Sequence, residues 1–140
     1  MPRRLPGHRK RPASASCRGF PPVAAADARV LILGSMPGRR SLAEHQYYAQ
    51  PQNAFWKIMG ALFGAGPERR YEERLDVLVR HRIALWDVLQ SCDREGSLDA
   101  RIDPGTAVAN DFPRFFRAHR QIRACFFNGA TAAGLFRRLV

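Results

Sequence analysis

The chain has 140 residues, enough for one domain with a sizeable core. No apolar run approaches the ~20 residues of a membrane span, and three widely spaced cysteines (Cys17, Cys92, Cys125) without a C-x-x-C pair argue against a disulfide scaffold or a cysteine-built metal site. Lys and Arg number 23 against 12 Asp and Glu, and the resulting +11 points to a polyanionic partner, most often nucleic acid.

Residues 1–28 hold six basic residues, one acidic residue and five of the ten prolines. Without apolar periodicity, they read as a disordered basic arm, either a sequence-blind phosphate contact or a dispensable extension. The arm lacks the apolar stretch of a secretory signal, and its prolines oppose a transit-peptide helix. Reduced thiols and a cytoplasmic location are the matching expectations.

From Arg29 the character changes. Val30-Leu31-Ile32-Leu33 is a short continuous apolar run of the kind buried on both faces of a parallel sheet, and it ends at Gly34. A tight loop, Gly34-Ser35-Met36-Pro37-Gly38, follows, then a polar stretch to Asn53. Phe55, Trp56, Ile58, Met59, Leu62 and Phe63 fall at helical spacing before Gly64. Tyr71, Leu75 and Leu78 predict a second helix. The run Ile83 to Leu89 predicts a second strand, and residues 90–107 a long loop. Asn110 or Asp111 caps a helix with Pro113 in its first turn. Ile122 to Phe127 is a third strand, and a last helix runs from Ala130 to Val140.

Alternating strands and helices predict an α/β fold, with a mainly parallel central sheet between two helical layers. The apolar face of the last helix (Leu135, Phe136, Leu139, Val140) has no following strand to cover it. This predicts that residues 29–140 form a C-terminally incomplete domain, its last strand lying beyond Val140.

In such sheets ligands bind beyond the carboxyl ends of the strands, which selects loops 34–53, 87–105 and 128–131. Glycines at 34 and 38 admit close backbone approach, and Pro37 stiffens the turn. The loop has neither the G-K-[ST] of a phosphate loop nor the G-x-G-x-x-G of a dinucleotide site. Ser35 lies in no nucleophile elbow. His8, His45, His81 and His119 show no metal-ligand pairing. Tyr47 and Tyr48 suit either base stacking or loop packing, and Asn53 suits either a site role or a helix cap.

Gly34-Ser35-Met36-Pro37-Gly38, Ser41-Leu42, Gln46-Tyr47-Tyr48-Ala49 and Pro51-Gln52-Asn53-Ala54-Phe55-Trp56 together resemble the first motif block of the uracil-DNA glycosylase superfamily, in its hypoxanthine-DNA (deoxyinosine) glycosylase branch. Ala84 to Leu89, Arg94 to Asp99, Ile102 and Phe127-Asn128-Gly129 are similar to that branch's later blocks. The resemblance implies a monofunctional hydrolase of base-excision repair. Such an enzyme cleaves the N-glycosidic bond of a deaminated base without metal or cofactor and leaves an abasic site. It implies Asn53 as the catalytic residue that orients water, because Ser35-Met36 offers no acid or amide at the superfamily's usual place. It implies Tyr48 as the residue that stacks on the extruded base. The Gly34–Gly38 loop, including Ser35, Met36 and Pro37, would hold the charge of the departing base through its backbone. Asp87, at the end of the second strand, lies where superfamily members read the base; a loop-capping carboxylate is the alternative.

Two departures stand out. Gln50 replaces the histidine usual before the proline, and no Ser/Pro-containing second motif precedes Val140. Activity is therefore expected to depend on sequence beyond Val140. The expected partner is DNA containing a damaged base, with no membrane partner and a monomeric chain. A uracil-DNA glycosylase and a non-catalytic nucleic-acid-binding fragment are the alternatives.

Overall fold

The computed structural model describes residues 16–140. In chain order the first elements are β1 (Ser16–Arg18), β2 (Val30–Gly34), α1 (Arg39–Glu44), α2 (Phe55–Phe63) and α3 (Tyr71–Arg80). Then come β3 (Ile83–Asp87), β4 (Leu89–Asp93), β5 (Val108–Ala109), α4 (Phe112–Ala118), β6 (Ala124–Phe127) and α5 (Ala130–Leu139).

The central sheet is parallel, in the order β3–β2–β6, with Val30 opposite both Ile83 and Ala124. Its side chains alternate between two apolar clusters, as a strand period of two requires. Leu31, Leu33, Ala84 and Trp86 face Phe112 and Phe115 of α4 and Leu135 of α5. Ile32, Ile83 and Leu85 face Phe55, Trp56 and Met59 of α2 and Val77 and Leu78 of α3. The fold is thus a three-layer α/β/α sandwich, and the unbroken apolar run in β2 reflects burial on both faces.

The structure departs from the sequence expectations in four places. The domain starts before residue 29. Cys17 pairs with Cys92 across β1 and β4, Val23 and Leu85 exchange 2.9 Å backbone hydrogen bonds, and Trp86 Nε1 donates to Phe20 O at 3.0 Å. Residues 16–28 therefore close one edge of the parallel sheet, and only residues 1–15 of the expected arm lie outside the described residues. Second, the run from Ile83 to Leu89 is two strands rather than one. At Val88 the chain leaves the parallel sheet, and β4 enters an antiparallel sheet ordered β1–β4–β5. Both halves are buried, so hydrophobicity alone carries no sign of the break. Third, the polar stretch after Gly38 contains α1, and the 90–107 segment contains most of β4 and two 3-10 turns and leads into β5. Fourth, the apolar face of α5 is partly covered, although Val140 stays exposed. Leu135 is buried, and the Phe136 ring meets Phe112 and Phe127, each at 5.2 Å between centroids.

Asp111 accepts the Arg114 N–H at 3.1 Å and caps α4, with Pro113 in the first turn. The three cysteines are thiols rather than disulfides, and burial pushes the Cys92 thiol up to about 11, so little of it is thiolate near neutrality. Among the described residues no helix is long and apolar enough to cross a membrane, and no group of three or more His, Cys, Asp or Glu is placed to hold a metal ion.

Candidate active site

Parallel register brings Gly34 at the end of β2 beside Asp87 at the end of β3. Asn128 follows the end of β6, its N–H donating to Leu33 O at 2.8 Å. At these strand ends lies a cavity of about 760 Å³. All eight residues singled out from the sequence line it: Gly34, Ser35, Met36, Pro37, Gly38, Tyr48, Asn53 and Asp87.

Gly34 is needed for close approach, but to protein groups. A Cβ at this position would collide with Asp87 Oδ1 and sit 2.9 Å from the Tyr48 hydroxyl. Gly38 is under no such constraint, since a Cβ there would meet only Ser97, at 3.6 Å.

The adjacent tyrosines diverge. Tyr47 is buried, and its hydroxyl donates to Pro21 O at 3.0 Å. Its N–H donates to the Tyr71 hydroxyl at 3.0 Å, and its carbonyl accepts Trp56 Nε1–H at 2.8 Å. Its role is chiefly packing. Tyr48 has a φ of 54°, a left-handed conformation unfavourable for an aromatic residue, and its ring stacks on Phe55 at 4.0 Å. Its hydroxyl is buried without a hydrogen-bond partner among the described residues. Burial first, then the Asp87 carboxyl, raise the Tyr48 phenol far above the usual tyrosine range. The Asn128 side chain opposes this without completing a hydrogen bond. Tyr48 is therefore a neutral donor with an unmet hydrogen bond.

Asp87 is the matching anomaly. It is 4% exposed, and its Oδ2 is buried with no partner among the described residues. Burial, and then Asp99, push its carboxyl up to about 7, against the lowering influence of Arg94. A carboxyl held there is partly neutral at physiological pH and both donates and accepts a hydrogen bond. Buried polar groups are nearly always satisfied, so two unmet ones in one cavity make it a candidate site for a polar ligand.

Asn53 lies at the exposed margin of the cavity, just before α2. Its Oδ1 accepts the Phe55 N–H at 2.9 Å, so it does support the start of the helix. An amide oxygen has a second lone pair, and that one remains for a water molecule.

The other wall comes from a segment given no role from the residues alone. Arg94 is 2% exposed and donates from Nη2 to Pro37 O at 2.7 Å and from Nε to Gly96 O at 3.1 Å. Ser35 Oγ donates to Asp99 Oδ1 at 2.6 Å, and the Arg39 N–H donates to Ser97 Oγ at 2.9 Å. The 94–99 segment thus grips the 34–39 loop at three points. A buried arginine tied to a carbonyl 57 positions away has no local signature. The only sequence signal for these residues, and for Asn128, was the resemblance of their blocks.

A glycine-rich loop, an aromatic residue, an amide and a buried acid meet at the carboxyl ends of the parallel strands and make an α/β protein with a polar cavity at its strand ends. The chain belongs to the uracil DNA glycosylase superfamily, to which residues 21–139 match. It is 40% identical over 116 residues to a hypoxanthine DNA glycosylase of Methanosarcina acetivorans, a match covering 82% of this chain and 72% of the relative. A hypoxanthine DNA glycosylase of Methanosarcina barkeri is 44% identical over 86 residues, 61% of this chain and 54% of that relative. The solution NMR structure of a Methanosarcina acetivorans protein, provisionally described as a uracil DNA glycosylase, superposes with a TM-score of 0.75 at 36% identity, covering 88% of this chain and 76% of that one.

Proposed function

We propose that this protein excises hypoxanthine from DNA by hydrolysing its N-glycosidic bond, leaving an abasic site. The observation that carries the reading is the pair of unmet polar groups, Tyr48 Oη and Asp87 Oδ2, in a cavity that also holds Asn53 and the Gly34–Gly38 loop. Hypoxanthine presents an N1–H donor beside an O6 acceptor. A neutral Asp87 carboxyl complements that edge, donating to O6 and accepting from N1–H. Tyr48, backed by Phe55, supplies the aromatic surface on which the extruded base stacks.

Bond cleavage leaves positive charge on the sugar and negative charge on the base. Backbone N–H groups of the Gly34–Gly38 loop, held in place by Arg94 through Pro37 O, stabilise the departing base. Asn53 orients the attacking water through its free lone pair, and positioning is what a dissociative reaction asks of it. The proposed partner is DNA carrying the damaged base, for which the +11 chain supplies a general attraction. The name borne by both Methanosarcina relatives supports hypoxanthine as the base.

The test is incubation of the protein with duplexes holding a single inosine or a single uracil, followed by alkaline cleavage of abasic sites. Strand breaks at inosine are expected. Breaks at uracil alone, or at neither, would overturn the reading.

A further inference from the structure

Residues 112–140 hold six arginines and no Asp or Glu, and all six arginines are exposed. The excision chemistry proposed above uses none of them. Parallel topology joins one of them to two other arginines at the end of the sheet away from the cavity. Val30 lies opposite both Ile83 and Ala124, so the residues just before the three parallel strands are Arg29, Arg82 and Arg123. Their backbones are linked, Arg29 N–H donating to Arg82 O and Arg123 N–H to Arg29 O, each at 2.8 Å. Neighbouring strands lie about 4.8 Å apart, so these three exposed side chains start from a row about 10 Å long. Arg120 stands in the turn just before the row. Helix α5 starts beside the cavity-lining Asn128, and its ten residues carry Arg137 and Arg138, in the last turn, about 15 Å along from that end.

Little in the fold accounts for this row. Among the described residues its one ion pair is Arg82 with Asp27, at 3.7 Å between half-exposed side chains. A helix dipole favours cations at its carboxyl end, as for Arg137 and Arg138, but Arg29 and Arg123 precede strands, which carry only small dipoles. Arg82 has a φ of 61° at the position after the α3 C-cap, where Gly or Asn is the usual residue. A cation thus occupies a backbone position that disfavours its side chain, beside a second and a third cation.

We propose that the Arg29–Arg82–Arg123 row is a second duplex-binding surface, at the pole opposite the cavity, which holds a lesion-free DNA segment while the cavity engages another. The proposal rests on DNA being the substrate of the cavity. Guanidinium groups pair with phosphate oxygens and are weakly hydrated, so such a row attracts a duplex backbone without reading its sequence. The five residues of β2 separate the two poles by about 16 Å, so a duplex at one leaves the other open. A membrane surface would ask for apolar side chains beside the cations, whereas Val30, Ile83 and Ala124 next to the row are buried or half-buried. A molecule holding two segments passes from one to the other without full release, which shortens the search for a rare lesion.

The experiment immobilises a duplex with one tetrahydrofuran abasic residue, saturates it with the full chain and measures capture of a second, labelled, lesion-free duplex. The parent is expected to capture it, as one protein with two duplexes in sedimentation. Arg29→Gln, Arg82→Gly and Arg123→Gln combined should weaken capture about ten-fold or more and reduce its log–log salt slope by about one unit per arginine. The triple variant should bind the abasic duplex with parent affinity and release hypoxanthine at the parent rate. Its melting temperature should not fall, since glycine suits the left-handed position at 82. Undiminished capture by the variant, as binding through residues 1–15 would give, overturns the proposal. So does equal loss of both duplexes, a complex of two proteins with two duplexes, or capture of anionic phospholipid vesicles in place of the second duplex. A parent that bridges duplexes yet releases no hypoxanthine would sink the excision reading and leave the second surface standing. One that excises without bridging would do the reverse.

Discussion

The Gly34–Asn53 wall of the cavity and the Asp87–Asp99 wall are built in different ways. The first is a nearly continuous stretch of chain whose working residues are set by local geometry: a glycine loop, a left-handed Tyr48 stacked on Phe55, and an Asn53 that also supports α2. The second is assembled by the fold. Asp87 arrives on a buried strand, and Arg94 and Asp99 act by reaching across to the first wall. The contrast separates two kinds of work. An exposed residue of the first wall such as Asn53 can change rate at little cost in stability. The buried carboxyl of Asp87 in the second ties stability to pH and, on the proposed function, activity as well.

The largest effect falls on the first wall. Asn53→Ala is expected to lower the single-turnover rate of hypoxanthine release by about 10³-fold, within the range for a positioned group acting on the attacking water. DNA affinity should stay near the parent value. Because Asn53 also accepts the Phe55 N–H, a melting curve is the needed companion, and loss of a cap-type bond alone costs ~1 kcal/mol. An unchanged rate with a lowered melting temperature would leave Asn53 as a helix support only.

Where the two walls meet, both properties should move together. Gly34→Ala drives a methyl group into Asp87 Oδ1 and toward the Tyr48 hydroxyl. The expected losses are about 10²-fold in excision from displaced groups and ~1–3 kcal/mol in stability from overpacking. Gly38→Ala, whose Cβ meets only Ser97, should cost far less of both. Indistinguishable glycine variants in parallel melts and assays would contradict this account of the seam.

The tyrosines sharpen the contrast within one wall. Tyr48→Ala should weaken binding of DNA with an extruded base by ~1–3 kcal/mol. Tyr47→Ala should instead lower stability by ~3 kcal/mol, because it removes a buried ring and the hydroxyl bond to Pro21 O, while the two backbone bonds of residue 47 persist. Reversed outcomes, in titrations against abasic duplex and in urea melts, would exchange the two roles.

The two walls also differ in how far they could be read in the sequence. Strand β2, helix α2 and the first wall were legible because each is a contiguous pattern: an apolar run, a helical spacing, a motif block. The break at Val88 was not, because Val88 and Leu89 carry the apolar run of Ile83–Trp86 past Asp87 and the chain changes sheet there without a glycine or proline. Strands β1 and β5, of three and two residues, are too short for alternation to register. The role of residues 16–28 rests on pairing with β3 and β4, far along the chain. Arg94 reads as one more surface arginine until the Pro37 carbonyl comes to meet it.

The smallest effect at neutral pH is the most specific to the second wall. Asp87 is raised by burial and by Asp99 to about 7, so the folded protein holds a proton there that the unfolded chain has released. Between the ordinary carboxylate range and about pH 7 the folded state binds more protons, and stability must fall as pH rises through that window. Asp87→Asn removes the ionisation while keeping the shape. Its stability relative to the parent should therefore improve steadily from acid to neutral pH and level off above. Activity should follow the same group. On the proposed reading a neutral carboxyl is the form that donates to the O6 of hypoxanthine, whereas the anion would repel it, so the parent rate should decline above about pH 7. The asparagine amide also offers one donor beside one acceptor, so Asp87→Asn should differ little from the parent at pH 7, by about two-fold if half the parent sites are neutral there. Above neutrality the asparagine variant should keep the activity that the parent loses. A parent rate that rises through pH 8 would show that the ionised carboxylate is the working form and that Asp87 accepts from the base rather than donating to it. An asparagine variant inactive at every pH would show that the site needs the acid itself.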